Sequence, residues 1–225
     1  MTTFANKNIN KIPLLENGDR LTRHEYERRN TAMPDNRKAE IIEGTVNMAS
    51  PLRIRSHGEP HGNLILWFGN YKITVPGLIL GDNSTVRLDL DNEPQPDVVL
   101  LFDEENGGQA RISEDDYIEG APELVAEVAA SSASNDLHDK KNAYRRNGVL
   151  EYIVWQVFEN KIDWFYLQNG EYISLEPDTE GIIKSNVFPG LWLAASALLA
   201  GEMNQVIQIL QQGLNSPEHK KFINQ

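Results

Sequence analysis

The sequence predicts an α/β protein of the α+β kind, a mixed β-sheet with helices packed on it and further helices at the C-terminus. Three observations carry this. Residues 98–102 and 124–130 are Val-, Leu- and Ala-rich runs bounded by Pro, Gly and Ser, the pattern of largely buried strands. Around them, segments with helical apolar spacing alternate with strand-like segments in the order helix, strands, helix, several strands, helix, strands. Gly44 and the pair Asn169-Gly170 supply the turn chemistry that closes hairpins.

Taken in order, residues 1–20 are polar and aperiodic and read as a loose arm. Thr22, with Glu25 three residues on, forms a capping-box signal for a short helix. Met33-Pro34-Asp35-Asn36 is turn chemistry. Residues 40–46 read as a strand entering a hairpin at Gly44, and the second strand ends at Ala49-Ser50-Pro51. The stretch LRIRSHGEP reads as a mobile, partly basic loop. Leu64, Ile65 and Phe68 then mark an amphipathic helix over residues 61–73, with Gly69 weakening its second half. Two strands are expected around Gly81-Asp82-Asn83, then the strand that follows Asp97, an acidic surface excursion, and the strand holding Glu127. DLHDKKNAYRRN reads as a helix stopped by Gly148 at its C-terminus. Aromatic strands follow over residues 149–157 and 161–167, usable as core or as a homodimer face, and an amphipathic helix covers residues 203–214. With no repeat and no Pro- or Ser-rich linker, the simplest partition is an arm (1–19), one domain (20–193) and a helical appendage (194–225).

Composition narrows the chemistry. At 225 residues, 40% hydrophobic and 24% charged, the chain resembles an ordinary soluble globular protein with one substantial core. It has no cysteine, which excludes disulfides, thiolate metal sites and thiol nucleophiles. No apolar run approaches the length that spans a bilayer and the N-terminus lacks an apolar signal region, so a cytoplasmic protein without membrane contact is expected. A net charge of −12 and pI near 4.9 oppose broad attraction to nucleic acid. Local basic clusters stand out against it: Arg20, Arg23, Arg28, Arg29, Arg37 and Lys38, then Lys140, Lys141, Arg145 and Arg146.

Asp97 and Glu127 are the carboxylates that interrupt the two apolar runs. A buried ionised carboxylate needs a compensating partner. Glu127 therefore calls for a cation, either a lysine or a metal ion; a carboxylate pair on neighbouring strands suits Mg²⁺ or Mn²⁺. A plain salt bridge, or a strand-end carboxylate facing water, satisfies the same constraint. Lys140 sits on the helix that leaves the strand of Glu127, and Asp136, Lys140 and Tyr144 recur at i, i+4, i+8 on one face. Lys140 can thus reach both carboxylates, or can simply pair with Asp136 on a solvated face. Glu40 and Glu43 fall on opposite faces of their strand, so only one can join the cluster. His61 opens the second helix and can contact phosphate or cap the helix; His24, His57, His138 and His219 have no ligand-like partners in sequence. Carboxylates, a divalent ion and a lysine are the inventory of a metal-dependent hydrolase. No phosphate-binding loop, dinucleotide fingerprint or nucleophile elbow is present. A glycosidase also uses paired carboxylates, but little here suggests a sugar-stacking cleft.

EIIEG, PHG, QPDVVL, PELVAEVAASS, DLHDKKNAY and GVLEYIV, in this order, resemble the Uma2 family, a bacterial group of largely unknown function, abundant in cyanobacteria and assigned to restriction-type endonucleases of the PD-(D/E)XK superfamily. The resemblance covers about residues 20–193. It implies a restriction-endonuclease-like core and Mg²⁺- or Mn²⁺-dependent hydrolysis of phosphodiester bonds, with DNA as partner. Asp97 matches the aspartate of the PD motif, Glu127 the acid of (D/E)XK, and Glu40 the N-terminal acidic position. Lys140 and Tyr144 match the family's K-x-x-x-Y helix. The lysine of the superfamily pattern, two positions after Glu127, is Ala129 in this chain. Two readings follow: Lys140 supplies that lysine from the next helix and the protein is a nuclease, or the fold is kept as a catalytically silent binding or regulatory module.

Overall fold

The computed structural model describes residues 12–33, 38–130 and 133–224. Helix α1 (Arg23–Asn30) starts where the Thr22 hydroxyl accepts from the Glu25 amide. Only half of the capping box forms, because the Glu25 carboxylate turns to Arg28 and Arg29 instead. Strands β1 (Ala39–Ile42) and β2 (Thr45–Met48) make the expected hairpin; Glu43 and Gly44 both take positive φ, 52° and 70°, as a tight primed turn requires. The described end of the N-terminal arm is not loose. Leu15 is buried, the Gly18 amide donates to Val46 O, and Arg20 bridges to Thr45. Of the turn expected after α1, Pro34, Asp35 and Asn36 lie outside the described residues.

The segment read as a mobile loop is helical. A π-helical turn (Ile54–Gly58) runs without a break into α2 (Glu59–Lys72). Pro60 lies just past the junction of the π-helical turn with α2 and does not stop the helix. Leu64, Trp67, Phe68 and Tyr71 form the buried stripe of α2. Gly69 is tolerated there, since this stripe holds the helix on both sides of it.

Strand β3 (Leu78–Asp82) joins the main sheet, whereas β4 (Val86–Arg87) turns away, so the two strands around Gly81-Asp82-Asn83 do not pair with each other. After β5 (Val98–Phe102), the acidic excursion is partly ordered by β6 (Arg111–Ile112) and β7 (Ile118–Glu119), which form a small sheet with β4. Then come β8 (Leu124–Ala129), α3 (Ala133–Asn135), a second π-helical turn (Asp136–Lys140) and α4 (Lys141–Asn147), closed by Gly148 at φ 88°. Strands β9 (Glu151–Gln156), β10 (Lys161–Gln168) and β11 (Glu171–Ser174) follow, the last two joined at Asn169-Gly170. The chain ends with the hairpin β12 (Ile182–Lys184) and β13 (Trp192–Ala194), then α5 (Ala195–Leu199), α6 (Met203–Leu214) and α7 (Pro217–Phe222).

The main sheet has the order β11-β10-β9-β8-β5-β3; β8 and β9 are parallel and their neighbours antiparallel. Its two faces carry separate cores. On one face Val98, Leu100, Leu124, Ala126 and Val128 pack with α2 and with Leu198, Val206 and Leu210 of the C-terminal helices. On the other, Val99, Leu101, Val125 and Ala129 pack with Tyr144 of α4, Tyr152 and Phe165. Tyr152, Trp155, Trp164 and Phe165 are buried, so these aromatics form core; Phe158 is an exposed exception. Among the described residues no helix is long and apolar enough to cross a membrane.

Candidate active site

Strand alternation puts Asp97 and Glu127 on one face. Residues 97, 99 and 101 point one way along β5, as do 125, 127 and 129 along β8, and Val99, Leu101, Val125 and Ala129 all lie under α4. The two strands pair Leu100 with Leu124, Val99 with Val125 and Val98 with Ala126. One step further along this register, Asp97 stands across from Glu127. Like charges directly opposite on neighbouring strands repel, so this pair persists only where other groups neutralise it.

Lys140 is the main such group. Its Nζ lies 3.1 Å from Glu127 Oε1, 3.0 Å from Glu40 Oε2 and 3.7 Å from Asp136 Oδ1. Tyr144, one turn on, donates its hydroxyl to the same Glu127 Oε1 at 2.9 Å. Glu40 reaches in from β1, while Glu43 faces away and pairs with Arg146. The shared helix face of Asp136, Lys140 and Tyr144 is therefore buried against the sheet, not solvated. Asp97 has its own partners. Its Oδ2 accepts from the Val128 amide at 2.7 Å, and its Oδ1 lies 3.0 Å from His57 Nε2. His61 stands one turn beyond, its Nε2 3.1 Å from the Asp97 carbonyl oxygen and 3.1 Å from Asp82 Oδ1. Both π-helical turns thus deliver residues to the site, His57 from one and Asp136 with Lys140 from the other.

Four acids, Glu40, Asp97, Glu127 and Asp136, face Lys140 and His57. That excess of negative charge sets the protonation states. Burial opposes the Lys140 charge, but Glu127, Glu40 and Asp136 outweigh it and hold the ammonium well above its usual range. Burial drives Glu127 well above the usual carboxylate range; Lys140 opposes this, and Asp136, Asp97 and Glu40 add to it. Asp97 is also penalised by burial, yet the His57 hydrogen bond and charge, the Val128 amide and Lys140 bring it below its ordinary value. His57 is raised by its bond to Asp97, against burial.

The structure brings Asp97, Glu127, Lys140, Glu40 and Tyr144 together and places His61 at the margin, between the Asp97 carbonyl oxygen and the Asp82 carboxylate. Sequence reasoning missed His57. Its i, i+4 spacing to His61 was the available signal, hidden by reading that stretch as a loop. Asp136 was seen only as a partner for Lys140.

Residues 23–196 match the family model Uma2, described as "Putative restriction endonuclease". The chain belongs to the Uma2 family. Its fold is shared with the crystal structure of "a putative nuclease belonging to DUF820" from Anabaena variabilis, with a TM-score of 0.54 at 13% identity over 81% of this chain and 97% of that one. No curated protein matches the chain.

Among the described residues, no three His, Asp or Glu side chains form a ready-made metal cage. In this Uma2 chain the acids are instead gathered on Lys140 and His57. The donor set nonetheless fits a hard divalent cation. Its donors are carboxylate oxygens that carry more negative charge than Lys140 and His57 offset, and, among the described residues, the hydrogen bonds given to Glu127 fall on Oε1.

Proposed function

We propose that this Uma2 protein is a divalent-metal-dependent nuclease that hydrolyses phosphodiester bonds in DNA. The observation that carries this reading is the buried Lys140 ammonium, 3.1 Å from Glu127 on the strand beside Asp97. It occupies the role left open by Ala129. Asp97 and Glu127 would hold Mg²⁺ or Mn²⁺. When bound, such an ion supplies Lewis-acid charge to a phosphoryl oxygen and lowers the pKa of a coordinated water.

The remaining roles belong to the chain itself. Lys140 keeps its proton, so it orients a water or a phosphate oxygen by donating to it and does not act as the base. Glu40 and Asp136 hold the ammonium in place from two sides, and Tyr144 fixes the rotamer of Glu127. His57 and the Val128 amide fix both oxygens of Asp97. His61, half-buried beside Asp82, is placed to meet a substrate phosphate.

A nuclease-fold binding module without chemistry is the second reading, favoured by Ala129 and by the net charge of −12. One experiment separates the two: incubation of supercoiled and single-stranded DNA with the purified protein in Mg²⁺, Mn²⁺ or chelator, alongside Glu127→Gln and Lys140→Met. The nuclease reading expects metal-dependent nicking that falls by about 10²–10³-fold in either variant, the scale seen when a group that stabilises transition-state charge is removed. Cleavage equal in all three proteins, or absent with every metal, supports the silent module.

A further inference from the structure

A polyanionic substrate must approach a site with surplus negative charge on a protein of net charge −12. Cations have to be waiting where it docks. Several arginines of the expected basic clusters are already engaged: Arg28 and Arg29 with Glu25, Arg145 with Glu171, Arg146 with Glu43. Arg87 and Arg111 are likewise engaged, with Asp115 and Glu119.

Lys38 and Arg53 differ from these. Both are exposed and neither has a carboxylate partner among the described residues. Arg55 is 86% exposed and, among the described residues, is held only by a solvent-screened i, i+4 pair with Glu59, itself 53% exposed. These three cations sit on two segments that lead straight into the site. Lys38 precedes Glu40 by two residues, on the same side of an extended chain, and Arg55 lies on the π-helical turn that carries His57, on the outer side of that turn with Glu59. The end of β2, four residues before Arg53, runs beside Lys38, where the Ala49 amide donates to Lys38 O at 2.9 Å. Alternating with the arginines, Leu52 and Ile54 are 67% and 72% exposed, an aliphatic tip that belongs to none of the three cores.

We infer that Lys38, Arg53 and Arg55 form a lip that binds the phosphates of a polynucleotide strand flanking the scissile bond, with Leu52 and Ile54 lying against its sugars and bases. This rests on the nuclease reading and adds the surface that reading lacks. Three phosphate contacts suit a polymer over a mononucleotide. They also give a defined salt dependence, a slope of log K against log salt of roughly −2 to −3.

The test is fluorescence anisotropy of labelled single-stranded DNA, duplex DNA and RNA of one sequence, in Ca²⁺, across a salt series. The proteins are the unsubstituted chain, Lys38→Ala/Arg53→Ala/Arg55→Ala, Leu52→Ser/Ile54→Ser, and a control with Lys220→Ala/Lys221→Ala on the C-terminal helix. The lip predicts that the triple variant loses tenfold or more in affinity at low salt, and that its slope flattens by about one unit per cation removed. The aliphatic double variant should lose affinity with its slope intact, and the control should match the unsubstituted protein. Equal slopes for the triple variant and the unsubstituted protein, or an equal loss in the control, overturn the lip. So does the absence of salt-dependent binding by the unsubstituted chain. Calorimetric titration of the triple variant with Mn²⁺ keeps the two readings apart: retained metal binding leaves the nuclease site standing when the lip has failed.

Discussion

Replacing Lys140 with methionine isolates what the buried ammonium does. Methionine keeps much of the side-chain volume and removes the charge that sits 3.0 Å from Glu40, 3.1 Å from Glu127 and 3.7 Å from Asp136. Breaking a buried ion pair by deleting one partner destabilises by about 3–5 kcal/mol. For a chain of this size, 1 kcal/mol moves the melting temperature by about 2–4 °C, so the metal-free variant should melt roughly 6–20 °C lower. Lys140 also offsets the negative charge of the same carboxylates that a divalent ion would neutralise. Mn²⁺ should therefore raise the melting temperature of Lys140→Met by more than it raises that of the unsubstituted protein. Differential scanning calorimetry with and without Mn²⁺ reads both effects. A loss under about 1 kcal/mol, or an equal Mn²⁺ shift in the two proteins, would refute the view that Lys140 is the cation on which these carboxylates depend.

Three further outcomes are expected. Substituting His57 with alanine frees Asp97 Oδ1 and should weaken Mn²⁺ binding by about 10–100-fold, as for other groups that orient a metal ligand; His57→Gln, which keeps a donor, should recover most of it, and calorimetry separates the two. Glu93 is buried, and among the described residues its Oε2 has no hydrogen-bond partner, only Arg87 Nε at 3.8 Å; burial first and the Glu27 carboxylate second push its pKa up to about 8. The folded state then holds a proton that the unfolded chain has released between pH 4.5 and 8, so stability should fall with rising pH across that window by at most about 1.4 kcal/mol per unit. Glu93→Gln should flatten that slope in urea titrations at several pH values, and an unchanged slope would exclude Glu93 as its source. Glu151 is buried beneath the β12–β13 connection, accepting from Trp164 Nε1, Ser185 Oγ and the amides of Asn186 and Val187; Glu151→Leu strands these donors and should cost several kcal/mol in thermal unfolding.

Much of the site was legible because period-two and period-four patterns survive folding. Asp97 and Glu127 each interrupt an apolar run, which fixed both the strands and the faces of those side chains. The i, i+4, i+8 spacing of Asp136, Lys140 and Tyr144 put them on one face even though the first turn of that helix is π-helical. What was hidden depends on contacts remote in sequence. Residues 54–58 look like a polar loop by composition, and only the bond from His57 to Asp97, with α2 continuing behind it, makes them a helical turn. The basic cluster of α1 looked available for phosphate, yet Arg28 and Arg29 are committed to Glu25 on the same helix. The β12–β13 hairpin was missed as a sheet because its strands are three residues each and are held by Glu151 from another strand.

Calorimetric titration of the purified protein with Mn²⁺, set beside Asp97→Ala and Glu127→Ala, decides whether these two carboxylates hold a metal ion. One ion per chain is expected for the unsubstituted protein and loss of that binding in each variant, with folding confirmed by circular dichroism. Failure of the unsubstituted, folded protein to bind Mn²⁺ would contradict that expectation, as would undiminished binding by both variants.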